Sequence, residues 1–563
     1  MQTRNLPDLE IAKKADILPI TRIARDMGID ERELVPYGDY MGKVYPDILE
    51  RLKDRPYGKY ILVTAVTPTP FGEGKTVSTI GLGMALNRIG KKASVCIRQP
   101  SLAPVFGIKG GGAGGGFSQV VPMEDVNLHL TGDMYAVEAA HNLCAAFLNN
   151  SIFKGNKLNI NPETITWARV LDVADRFLRN IVVGKGIAND KFRHKSFFEI
   201  TSASEVMAAL ALASSLKDLR QRLAKIMVAF DYDGKMVTAE DINVAGAMAV
   251  LLKNAINPNL LQTIENTPCF VHTGPFGNIA HGNSSIIADK IGLKLSDYVV
   301  TEAGFGADLG AEKFFNIKCR TSGIKPDCVV MVCSIRALKV HSGKINPDNE
   351  NIYKEDLELL EDGCCNLQKQ IDNVKLFGMP VVVAINKFST DTRAELDLVA
   401  RKSAEFGADD VVVNQVYSKG SEGGVDLANS VVKLCQNKAD FKFLYPLEMP
   451  IKEKIETIAK KIYGASEVLF EEKALEKIKV FAELNFDKLP VCMAKTHLSL
   501  SADPKKKGRP ENFILPVRDV RVSCGAGFLY ALCGKINTMP GLPMNPAGES
   551  IDIDDNGQIV GIF

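Results

Sequence analysis

The chain has 563 residues, of which 46% are hydrophobic and 24% charged; this is a globular balance and excludes a largely disordered protein. Lys plus Arg number 68 and Asp plus Glu 67, a net charge of +1, so no overall excess points to nucleic acid or an anionic membrane. The length exceeds one ordinary domain and predicts several.

The first twenty residues, MQTRNLPDLEIAKKADILPI, carry charges throughout and lack the apolar core of a signal peptide. Mean hydropathy is +0.01 and no run of 18 apolar residues exists. The expectation is a cytoplasmic protein without a membrane span. Residues 59–66 form a short apolar run ending in Thr67-Pro68 and predict a buried strand. A glycine-containing turn follows, then an amphipathic helix over 76–89 and a strand over 93–97. Further strands are predicted at 225–230, 268–272, 298–302, 328–333, 380–386 and 410–415, with helices at 203–223 and 355–377. Strands alternating with helices imply βαβ units and a mostly parallel sheet. Twelve scattered cysteines contain no CxxC pair, and seven histidines no HExxH, so zinc chemistry is not expected.

The turn reads Thr69, Pro70, Phe71, Gly72, Glu73, Gly74, Lys75, Thr76, between a strand and a helix. This is the context of a phosphate-binding loop. Backbone N–H groups at the helix start cradle phosphate, the lysine reaches the outer phosphates, and the threonine hydroxyl meets Mg²⁺. The match to the Walker pattern is imperfect, because Thr69 stands where a glycine is required. A plain turn with a helix cap is the alternative. Asn386-Lys387-Phe388 follows another strand, as base-reading elements do, and Glu302 puts a carboxylate at a strand's carboxyl edge, where parallel sheets bind ligands. The tract 107–118, GIKGGGAGGGFS, holds seven glycines. It is either a flexible linker or a ligand-cradling loop, and its polar flanks, RQPS before and HLTGD after, favour the loop. The predicted fold is multidomain α/β. A large domain like a P-loop NTPase, with helices on both faces of its sheet, occupies 1–365; smaller α/β units follow at 366–490 and 491–563.

TPTPFGEGKT, RQPS, GIKGGGAGGG, NLHLTGD, HTGPFGNIAHGNSS, TEAGFGADLGAEKF, SIRALKVHSGK and the C-terminal VRDVRVSCGAGFLYALCGKINTMPGLPMNP resemble the formate–tetrahydrofolate ligase family over nearly the whole chain. The resemblance implies synthesis of 10-formyltetrahydrofolate from formate, ATP with Mg²⁺, and tetrahydrofolate through bound formyl phosphate. It also implies a monovalent cation (K⁺ or NH4⁺) and a homo-oligomer, dimer or tetramer. Residues 69–76 would hold the nucleotide, with Thr76 on Mg²⁺. Lys75 and Arg98 would act on the transferring phosphoryl group, and Asp133 would accept the N10 proton or hold substrate or cation. Arg98 with Gly110, Gly111 and Gly112 would cradle formyl phosphate, where glycines let backbone donors approach an anion. Phe388 and Tyr417 would face the pterin, with Gln99 beside it. Bacterial members generally carry Trp at the position of Tyr417 and Glu at that of Gln99, so folate affinity is the property these departures touch. Structural alternatives stand beside these roles: a salt bridge for Arg98, a helix cap for Asp133, and satisfied polar contacts for His129, His272, His281 and His341. Two rival functions remain, a regulatory P-loop ATPase and a ligase for another small carboxylate.

Overall fold

The structure, a computed structural model, describes residues 6–108, 111–187, 190, 192–534 and 536–562. Its centre is a sheet of ten strands in line: β1 (Leu34–Tyr37), β2 (Met41–Val44), β3 (Lys59–Ala65), β4 (Ala93–Ile97), β5 (Asn259–Thr263), β6 (Pro268–Val271), β7 (Tyr298–Glu302), β8 (Cys328–Cys333), β9 (Val381–Asn386) and β10 (Asp410–Asn414). Their order is β1-β2-β5-β6-β4-β7-β3-β8-β9-β10. The seven from β6 to β10 run parallel, and β1, β2 and β5 extend the edge as an antiparallel ladder. A short strand, Ser118–Val121, branches off β5.

Alternate residues of each central strand enter two different cores, because strand side chains alternate faces. Leu62, Val329, Met331, Val381 and Val383 pack with helix Leu357–Lys375 on one face. Ile61, Val63, Val330, Val332 and Val382 pack with helices Lys75–Arg88 and Val425–Leu434 on the other. Burial on both faces explains why these strands read as unbroken apolar runs.

The expected elements are present with two differences. Residues 203–223 form two helices, Glu205–Leu212 and Leu216–Ala224, because Ser215 leaves the helical path and caps the second through a bond from the Asp218 N–H. The strand Met227–Phe230 pairs with Met236–Thr238 in a separate hairpin rather than joining the central sheet. Residue 365 lies inside helix Leu357–Lys375, and β9 and β10 lie beyond it, so the central sheet runs across that expected boundary. Past 490, strands Val491–Ala494, Asp519–Ser523 and Phe528–Leu532 form a small sheet of their own. Among the described residues no helix is long and apolar enough to cross a membrane.

One buried ion pair fastens that C-terminal sheet to the central one. Lys495, just after Val491–Ala494, donates to Asp308 at 2.9 Å, and both side chains are fully enclosed. Gln370 of helix Leu357–Lys375 donates to the other Asp308 oxygen at 2.9 Å and to the Thr67 hydroxyl at 3.0 Å. Removing one partner leaves an uncompensated buried charge. Asp308→Ala should therefore destabilise the protein by about 3–5 kcal/mol, measured as a lower urea midpoint with an unchanged far-UV spectrum in the absence of denaturant.

Candidate functional site

Glycine creates the turn after β3. Gly72 and Gly74 have φ of 70° and 72°, in the left-handed region, and a Cβ on Gly74 would lie 2.7 Å from the Asn386 amide nitrogen. Helix Lys75–Arg88 starts directly after Gly74, so Lys75 and Thr76 occupy its first turn, where free N–H groups and the helix dipole favour an anion. The position that departs from the Walker pattern has a local reason. The Thr69 N–H and hydroxyl both donate to one oxygen of Glu73, at 2.6 and 3.0 Å, so a side-chain carboxylate fixes the turn. Burial raises the Glu73 pKa, and Lys75 Nζ lies 3.8 Å from its other oxygen. Phe71 meets Tyr353 edge-on and lies under the Arg336 guanidinium at 5.0 Å, while Pro70 and Gly72 face solvent.

Neighbouring strand ends complete the arrangement. Thr76 Oγ1 donates to Glu302 Oε2 at 2.7 Å, from the end of β7. Arg98, one residue past β4, lies 3.9 Å from Glu302 Oε1 and donates weakly to the Pro275 carbonyl at 3.4 Å. Its guanidinium rests over Gly304, where a Cβ would approach to 3.1 Å, and its Nε is buried without a hydrogen-bond partner. At the end of β9, Asn386 donates to the Glu73 carbonyl at 2.8 Å and accepts from Ser78 and Asn414. Asn386 therefore braces the glycine turn.

Gln99 is 2% exposed, and neither end of its side-chain amide has a partner. Its backbone N–H donates to Thr273, a β-branched residue held at φ 55°. Phe305, beside Gly304, is at φ 63° and stacks on His497 at 4.6 Å. Burial first, then the nearby Lys495 and Lys75, pushes His497 down to about 4. His281 is fully buried, both its ring nitrogens lack partners, and burial with the surrounding cations holds it well below the usual histidine range. Strained backbone and orphaned polar atoms concentrated in one place mark a functional region.

Other expected site residues have definite settings. Asp133 is buried at the start of helix Asp133–Phe153; its two oxygens accept from Lys43 at 2.8 and 2.9 Å, and one accepts from Asn259 at 2.8 Å. It is thus paired with Lys43 rather than with Lys75 or Arg98. The Gly112 N–H donates to Asn127, and a Cβ on Gly111 or Gly112 would collide with Asn127 or Pro100, so these glycines thread a narrow gap. Gly110 lies outside the described residues. Tyr417 is 52% exposed, packs over Gly115 and Gly116, and its hydroxyl is 3.4 Å from Asp8, whose carboxylate also accepts from the Gly116 N–H. Phe388 is half-buried with the Arg336 guanidinium 3.7 Å from its ring centre. His272 bonds Ser285 and the Ala255 carbonyl, His341 bonds the Thr67 carbonyl, and His129 meets Tyr135. Arg336, Lys495 and His497 are site neighbours that sequence reasoning missed. The motif SIRALK contained Arg336, but nothing in spacing placed the other two here.

Fold and site together define an α/β enzyme whose working groups gather at the carboxyl edge of a parallel sheet. The family model described as formate–tetrahydrofolate ligase matches residues 6–563. The chain is 55% identical over 561 residues to a formate–tetrahydrofolate ligase of Desulforamulus reducens, covering 99% of both chains. It is 53% identical to formate–tetrahydrofolate ligase 2 of Rubrobacter xylanophilus and to a formate–tetrahydrofolate ligase of Roseiflexus castenholzii, again over 99% of each chain. The chain belongs to the formate–tetrahydrofolate ligase family.

The buried histidines give the fold a pH dependence whose sign is fixed. Burial pushes His272 down to about 4, whereas an unfolded histidine titrates near 6.5. Above pH 6.5 neither state binds the proton; below it the unfolded chain does and the folded one does not until about pH 4. The residue's contribution is therefore lost as pH falls through that window, by about 3 kcal/mol in total. Tm measured against pH should fall less steeply between 6.5 and 4 in His272→Gln than in the parent, whatever the variant's own Tm at pH 7.5.

Proposed function

We propose that this chain ligates formate to tetrahydrofolate in the ATP-dependent reaction of its family, forming the C–N bond of 10-formyltetrahydrofolate and releasing ADP and phosphate. The observation that carries the reading is Glu302, which accepts from the Thr76 hydroxyl at the helix start and faces Arg98 at the end of the adjoining strand β4.

In the proposed sequence a formate oxygen attacks the γ-phosphorus of ATP, ADP leaves, and N10 of the folate displaces phosphate from the resulting formyl phosphate, the N10 proton passing to the departing phosphate. The turn 69–76 would hold the nucleotide phosphates. Lys75 offsets charge on the transferring group, and Arg98 presents a planar fork to formate and phosphoryl oxygens. Because the Thr76 hydroxyl donates its proton to Glu302, its lone pairs stay free for a cation. That fits Mg²⁺ entering with ATP, to which it would supply charge neutralisation on the phosphates; among the described residues no cluster of three His, Cys, Asp or Glu forms a metal cage of its own. Gly110, Gly111 and Gly112 would admit backbone donors to formyl phosphate; of these, Gly112 lies against Pro100 and Gly111 against Asn127. Burial of Gln99, His281 and Thr273 keeps water from an acyl phosphate that water would hydrolyse. Asp133 is proposed to hold substrate or cation in place through its network with Lys43 and Asn259. Arg336 covers one face of Phe388, so a pterin would take the other, opposite Tyr417, with the unpartnered Gln99 amide for its polar edge. A monovalent cation, a homo-oligomer and a cytoplasmic setting belong to the same proposal.

Purified protein should release ADP in proportion to 10-formyltetrahydrofolate and only with formate, Mg²⁺ and tetrahydrofolate all present. Steady ADP release without formate and folate would favour a regulatory ATPase, and equal use of acetate would favour a broader carboxylate ligase. Lys75→Ala should lower kcat by about 10²–10³-fold, as loss of one preorganised charge donor does; near-normal turnover would remove Lys75 from the mechanism. Ring stacking contributes roughly 1–3 kcal/mol, so Tyr417→Ala should raise the tetrahydrofolate KM by about 5- to 150-fold and leave the ATP and formate KM values nearly unchanged. If all three KM values and the Tm move together, Tyr417 supports the fold instead.

A further inference from the structure

A cavity of about 330 Å³ opens between the segment around Trp167 and the C-terminal sheet. Neither Lys75, Arg98 nor Glu302 lines it. Its volume is that of a small-ligand pocket. Trp167, Phe197, Phe230 and Phe481 supply aromatic walls. Trp167 is stacked on His141 at 4.0 Å and 16°, and its ring N–H donates to the His141 carbonyl, so the indole is held in one orientation. His141 is itself satisfied by Ser204 and the Ala168 carbonyl, and burial pushes it down to about 3, so it carries no charge at neutral pH.

The opposite wall is cationic. Lys473, Lys477 and Arg521 all converge on one carboxylate, Asp519, at 3.3, 2.7 and 3.5 Å. Glu199 also lines the cavity and lies in the field of Arg521. Glu205 adds no negative charge at neutral pH, because burial pushes its carboxyl up to about 8 while it accepts from the Gly525 N–H. Three cations thus meet at the single carboxylate of Asp519, beside the aromatic walls. A flat ring with one negative charge satisfies both surfaces: the ring against the aromatic wall, the charge against the lysines.

We propose that this cavity is a binding site for a planar aromatic monoanion, of the aryl carboxylate class, separate from the site at Lys75 and Arg98. The site reports on itself, because Trp167 is the chain's single tryptophan. Benzoate and its neutral isostere benzamide, each titrated into the full-length protein with emission excited at 295 nm, form the test. Benzoate should change Trp167 emission saturably and bind about tenfold more tightly than benzamide. Lys477→Gln should remove most of that preference. Val480→Phe, which fills the cavity from another lining position, should weaken both probes while leaving formate-dependent turnover unchanged. Saturating formate should leave the benzoate titration in place. Equal binding of the two probes, no saturable signal, indifference to Val480→Phe, or displacement by formate, which would put benzoate at Arg98, would each overturn the assignment.

Discussion

The hydrogen bond from Thr76 to Glu302 is the interaction on which the arrangement of the site depends. It joins the first turn of a helix to the end of the neighbouring strand β7, at 2.7 Å. The same carboxylate faces Arg98 from the end of β4, and its residue's backbone carbonyl accepts from Asn283 at 3.3 Å. One carboxylate thus sets the separation between the helix start that carries Lys75 and the strand end that carries Arg98. Parallel pairing makes this possible, since the in-register strands β3, β7 and β4 deliver their carboxyl ends to one edge. Charge is balanced locally: Glu73 lies beside Lys75 and Glu302 beside Arg98, at the start of a helix whose dipole favours an anion.

The surroundings are built to hold strain. Gly304 and Gly310 let two chain segments pass so closely that a Cβ on Gly310 would lie 1.9 Å from the Gly304 carbonyl. Thr273 and Phe305 occupy left-handed conformations that cost about 1–3 kcal/mol each, and they persist because β6, β7 and the Lys313 side chain over-determine the loops. Lys313 donates to the Gly277 and Asn278 carbonyls at 2.8 Å each, from full burial. The unpartnered Gln99 amide, Arg98 Nε and His281 ring are expensive in a closed protein. Their concentration at one sheet edge is consistent with polar groups that a bound substrate completes.

Much of this was legible in the sequence, for physical reasons that differ from residue to residue. β3, β7, β8 and β9 announce themselves because strands buried on both faces are continuous apolar runs. The turn at Gly72 and Gly74 is legible because glycine adopts left-handed backbone without strain. The antiparallel ladder of β1, β2 and β5 is not legible, since its strands mix polar and apolar residues: Lys43 points inward to meet Asp133. Residues 225–230 carry a strand pattern but not the information that they pair locally in a hairpin. The irregular segments Ala307–Ala311 and Phe314–Cys319, which insert an extra residue per turn, have no period a pattern reading recognises. Lys495 and His497 arrive from some 400 residues beyond the glycine turn, and only tertiary packing brings them to Asp308 and Phe305.

The most direct test is a double-mutant cycle on Thr76→Val and Glu302→Leu, which leave no donor and no acceptor for the bond, read as formate-dependent ADP formation in folded variants. If one hydrogen bond sets the site, both substitutions remove the same interaction. The double variant should then cost no more than about the larger single effect. Fully additive losses would show that the two residues act independently, and would contradict the claim that the Thr76–Glu302 bond organises the site.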